Sequence, residues 1–98
     1  MIQNMQEHLL YLTKFFVLEN KCSEKIRGVM AIWDNENTAH ISFYFDGEPQ
    51  EKELEDASDT CGEIIAHIPD GLLKEDYIRL DCPKQQPESP FWAYKRSE

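Results

Sequence analysis

Glycine is scarce, with four residues at scattered positions, and no glycine-rich loop able to cradle a phosphate can be assembled from them. Cysteine is also sparse. Cys22, Cys61 and Cys82 are odd in number, widely spaced and free of any C-x-x-C pair, which fits reduced thiols and not a disulfide framework. His8, His40 and His67 show no ligand-like pairing with them, so no metal site and no cofactor is expected. Long apolar runs are missing as well. The N-terminal stretch has no basic residue before Lys14 and is cut by Thr13-Lys14, so it fits neither a secretory signal nor a membrane span, and a cytoplasmic location is expected. Positive charge is the last deficit, with ten Lys and Arg against nineteen Asp and Glu. A nucleic acid or an anionic membrane as direct ligand is therefore disfavoured, because both are bound through clustered cations.

The 98 residues are 41% hydrophobic and 11% aromatic, which places the chain among folded proteins and makes residues 1–98 one expected domain. Ile2, Met5, Leu9, Leu12 and Phe16 recur at steps of three and four, predicting a helix over 2–18. Leu10, Phe15, Val17 and Leu18 fall off that stripe, so either the helix is covered on two sides or its last turn is something else. Residues 25–33 and 38–47, joined by "DNEN", read as a hairpin, with Ile41, Phe43 and Phe45 alternating against His40, Ser42 and Tyr44.

A second helix is predicted over 49–67, with Pro49 as its first residue and Leu54, Ala57, Cys61, Ile64, Ile65 and Ile68 on its apolar side. "DYIRLDC" and "PFWAYKR" follow as strands, their connection "PKQQPESP" reading as a hairpin loop. The expected fold is α+β, in the order α-β-β-α-β-β, with a four-stranded, mainly antiparallel sheet carrying its helices on one face.

The charge is not spread evenly. Residues 46–76 hold eleven acids against two bases, a net of −9 that equals the formal charge of the whole chain. Within them Glu51, Glu55, Asp59 and Glu63 follow one another at i, i+4 spacing, flanked by Glu48 and Asp56 and answered only by Lys52. Like charges so spaced cost an isolated helix roughly 0.2–0.5 kcal/mol per pair. Helix-dipole compensation accounts for Glu48 and Glu51 but reaches neither Asp59 nor Glu63. A solvated outer face is the plain alternative, and a docking surface for a basic partner is the sharper reading.

Trp33, Tyr44, Tyr77, Trp92 and Tyr94 are divided between core and interface by the same logic, with Trp92 taken as a contact candidate. Catalysis finds little support. Cys61 lies in the isoleucine stripe, and His67, six residues on, falls on another face of the helix.

The order of parts, from the leading helix through "ISFYFDGEP" and the acidic helix to "YIRLDCP" and "FWAYKR", resembles the small immunity proteins of bacterial contact-dependent growth inhibition and related polymorphic toxin systems. It resembles in particular those that neutralise RNA-cleaving toxin domains. The resemblance implies a non-enzymatic protein that binds its cognate nuclease toxin domain and blocks it, and it transfers no contact residue. A small acidic secretion chaperone, which would be an obligate dimer, and an acidic nucleic-acid mimic are the alternatives; an inhibitor can remain a monomer.

Overall fold

A computed structural model describes residues 4–97. Helix α1 spans Met5–Glu19, and Ile2 of the expected stripe lies outside the described residues. The Asn4 side chain caps it, accepting the backbone N–H of Gln6 at 2.9 Å. The helix stays regular to Glu19. It buries Leu9, Leu12, Thr13 and Val17 against the sheet and half-buries Leu10, whereas Phe15 and Leu18 remain exposed, so two of the four off-stripe residues mark a second apolar face and none marks a break.

Strands β1 (Ile26–Trp33) and β2 (Thr38–Phe45) form the expected antiparallel hairpin. Asp34 sets its turn, because one carboxylate oxygen accepts the N–H groups of both Glu36 (2.8 Å) and Thr38 (3.0 Å). From Ala39 on, β2 alternates: Ala39, Ile41, Phe43 and Phe45 are fully buried beneath the helices and His40, Ser42 and Tyr44 lie on the open face, while Thr38 at the strand's start is buried as well.

Helix α2 spans Glu51–Ile65, shorter at both ends than the spacing predicts. Gln50 is its N-cap, so Pro49 precedes the helix instead of opening it. Ala57, Thr60, Cys61 and Ile64 form its buried side. Strand β3 (Leu72–Arg79) starts four residues earlier than the sequence predicts, and β4 is Trp92–Lys95. The early start of β3 was hidden by its chemistry: half-buried Leu73, Glu75 and Tyr77 alternate with exposed Leu72, Lys74, Asp76 and Ile78, so an acid points inward and two aliphatics outward. Glu75 is tolerated there because the hydroxyls of Tyr77 and Ser58 both donate to it.

The sheet order is β3-β2-β1-β4. Both partners of β1 are antiparallel to it, while β3 pairs with β2 in parallel, α2 serving as the crossover that such a pair requires. The sheet is thus mixed. One expectation changes here: β3 and β4 occupy opposite edges, so the segment between them is not a hairpin loop. It passes the end of the sheet and folds onto the open face, where the Trp92 indole donates to the Pro87 carbonyl at 3.0 Å and its ring lies over Gly28. A Cβ at Gly28 would sit 2.7 Å from that ring, which explains the glycine.

Four carboxylates secure the connections. Asp46 accepts the Cys82 N–H (3.0 Å) and pairs with Arg96 (3.2 Å). Asp81 pairs with Arg79 (3.0 Å) and accepts the Gly47 N–H (2.8 Å). Glu53 accepts the Gln50 N–H (2.7 Å) and the Ser23 hydroxyl (2.6 Å), and Asp34 contacts His40 (2.6 Å) in addition to its turn.

Each of the four is held below its ordinary pKa. The first cause is the Cys82 N–H for Asp46, the Arg79 side chain for Asp81, the Gln50 N–H for Glu53 and the His40 hydrogen bond for Asp34. A carboxylate with a depressed folded pKa contributes stability that is present above its unfolded value, about 3.9 for Asp and 4.3 for Glu, and is lost as pH falls through the folded value. The thermal midpoint is therefore expected to drop between pH 5 and pH 3. Melts at pH 7, 5 and 3 check this, and an unchanged midpoint at pH 3 would contradict it.

Candidate functional site

The outer side of α2 is where unneutralised charge collects. Its turns carry Glu51, Glu55, Asp59 and Glu63 away from the buried Ala57, Thr60, Cys61 and Ile64, all four exposed. Each step of four residues advances roughly 40° around the helix axis, so the row runs diagonally across the outer face and ends beside α1. Among the described residues, Glu51, Glu55 and Asp59 form no ion pair. Lys52 binds Asp56 at 3.1 Å, and that hydrogen bond, with Glu55 and Asp59 nearby, raises the lysine's pKa.

At the α1 end the row meets a neutral donor that spacing along α2 does not reveal. Asn20, the C-cap of α1, places its side-chain amide 2.6 Å from the Glu63 carboxylate and 2.9 Å from the Thr60 hydroxyl. Lys52, Asp56, Asp59, Glu63 and Asn20 line one shallow, open groove between the helices. The nearest sequence signal for Asn20 is its place just past a helical pattern, which predicts a cap and nothing about a partner forty residues on.

The other expected contact residues lie elsewhere. Glu48 sits in the β2–α2 turn and pairs with Arg79 at 3.2 Å, so it belongs to the charged cluster at the sheet end. Trp92 packs on Tyr44 with ring centroids 5.2 Å apart and has the Lys95 ammonium 5.5 Å from its ring. Tyr44 is on the open face, so the sheet separates Trp92 from the acidic row. Aromatic side chains nearer that row come from α1: Tyr11, Phe15 and Phe16, the last with its ring 5.2 Å from the His67 ring.

The three cysteines are free. Burial pushes the Cys61 thiol far up, opposite to what a nucleophile needs, and also raises that of Cys22. No group of histidines, cysteines and acids placed to hold a metal ion occurs among the described residues, and no helix there is long and apolar enough to cross a membrane.

Chemically the arrangement offers a surface: a sheet-backed helix, α2, whose outer side carries exposed carboxylates. Residues 7–98 match the MafI2 immunity protein family, and the chain belongs to it. An immunity protein neutralises a cognate toxin, so a toxin is its partner. No curated protein matches the chain.

Proposed function

We propose that this immunity protein acts in the cytoplasm as a monomeric, non-catalytic inhibitor that binds a cognate nuclease toxin domain one to one through the outer face of α2. The toxin would be RNA-cleaving and would belong to a contact-dependent growth inhibition or related polymorphic toxin system. The observation that carries the reading is the set Glu51, Glu55 and Asp59, exposed on one helix face and without ion pairs among the described residues, beside Asp56 and Glu63. A ribonuclease presents cations to its RNA, and carboxylates aligned on a helix occupy such a surface in place of phosphates, accelerating encounter and fixing register. Membership in an immunity family favours this over a secretion chaperone. Inhibition should titrate. Adding the protein to its toxin domain while RNA cleavage is followed should reach full suppression at one equivalent, with light scattering giving the mass of a one-to-one complex. Complete suppression at a small fraction of an equivalent would overturn the binding-only mechanism.

A further inference from the structure

Among the described residues, five large hydrophobic side chains are exposed, and three of them cluster on α1. Tyr11, Phe15 and Leu18 are 64%, 44% and 53% exposed, on the side opposite the buried Leu9, Leu12 and Val17. They line one shallow depression together with Lys14. Tyr11 and Phe15, one helical turn apart, already stack, with centroids 6.3 Å apart and planes at 22°. Phe15 meets Phe16 edge-on at 5.1 Å, and Phe16 meets His67 at 5.2 Å. The rings therefore run without a gap from the outer face of α1 to the C-terminal end of α2. There His67 Nδ1 lies 2.9 Å from the Glu63 carbonyl, one turn past the last acid of the row.

We propose that this ridge is the apolar anchor of the toxin contact, with Tyr11, Phe15 and Leu18 seated in an apolar recess of the toxin domain while α2 faces the cations beside that recess. The inference rests on the inhibitor reading above and names the part of the surface that holds the complex together once charge has brought it together. Aromatic anchors next to a charged rim are the arrangement from which tight interfaces derive most of their binding energy. The Tyr11 and Phe15 rings already lie near-parallel side by side before binding, which lowers the side-chain ordering that the contact requires. Lys14 between them calls for an acidic group at the edge of the recess.

Charge argues against a second copy of this chain as the occupant. Each copy carries a net charge of −9, so two copies repel at long range and neither supplies cations for the other's α2 row, whereas a cationic nuclease surface complements that row.

The test uses a catalytically inactivated cognate toxin domain on a sensor surface and two variants of the full chain, Tyr11→Ser/Phe15→Ser and Leu18→Ser. Loss of the anchor should raise the dissociation rate at least about 100-fold for the double variant and about tenfold for Leu18→Ser. Association should slow less than about threefold, with its salt dependence unchanged. Circular dichroism melts establish that each variant is folded, and Leu18→Ser carries the test if the double variant is not. Wild-type dissociation rates in the folded variants, with wild-type protein binding normally, would overturn the anchor and leave the inhibitor reading standing. Absence of any binding by the wild-type chain would remove both. A wild-type dimer that the variants convert to monomer would assign the ridge to a second copy and overturn the proposal.

Discussion

Replacing Glu55 by Gln and Asp59 by Asn together is expected to slow association with the toxin domain by about tenfold at low ionic strength, without an equivalent rise in dissociation. Both side chains are exposed, lie mid-row and form no ion pair among the described residues, so the substitution removes two charges and no internal contact. Steering of this kind changes association rates by roughly 10 to 10³-fold in full, and two charges carry a part of that. Screening supplies a second readout. The Debye length falls from about 10 Å at 0.1 M salt to about 3 Å at 1 M, so wild-type association should slow steeply across that range and the variant's less so. Thermal stability should hold, since like-charge repulsion along the row is relieved while Lys52 keeps its hydrogen bond to Asp56. Stopped-flow or surface-based kinetics across a salt series check both. Equal association rates at low salt would reduce the row to a solvated face.

Phe43→Ala is expected to be the most damaging single truncation of the core. Phe43 is completely buried, with its ring 6.5 Å from Phe45 and 5.7 Å from Tyr77 in near-parallel stacks, and so links the central sheet to the strand beneath α2. Phe-to-Ala changes at such sites cost about 3–5 kcal/mol, a large share of the roughly 5–15 kcal/mol that holds a domain folded. For a chain of this size the thermal midpoint should fall by at least about 12 °C. Phe15→Ala is the internal comparison, since that ring is 44% exposed and its removal opens no cavity. A Phe43→Ala midpoint no lower than that of Phe15→Ala would show that the stacked rings do not bear the core.

How far the sequence could be read depended on whether one local period decided the outcome. Strand β2 was legible because, from Ala39 on, every inward position is apolar and every outward one carries a polar group. Strand β3 was half legible, since Glu75 faces inward on the strength of hydroxyl donors from Ser58 and Tyr77, seventeen residues apart or on the strand itself. The opposite-edge placement of β4 left no local mark at all. It follows from α2 forcing β3 parallel to β2, which leaves the free edge of β1 for the last strand.

The acidic row shows the same division. Its spacing was visible, yet Glu53 and Glu55 look alike in "EKELED" although one caps the helix and binds Ser23 while the other is exposed. What separates them is the approach of the α1–β1 loop, which no count of charges contains. The α1 ridge did leave a trace, in Phe15 and Leu18 off the main stripe, but periodicity alone cannot say whether a second apolar face is covered.

The outer sides of α1 and α2 also bear on how such a protein can change. Tyr11, Phe15 and Leu18 on one helix and Glu51, Glu55 and Asp59 on the other contribute nothing to the buried set that runs from Leu9 to Ala93. Asn20 fastens the two helices to each other through Thr60 and Glu63 without recruiting those six positions. On the contact proposed above, a lineage whose toxin alters its surface can rewrite six side chains independently of the scaffold, and new pairings can arise without passing through unfolded intermediates.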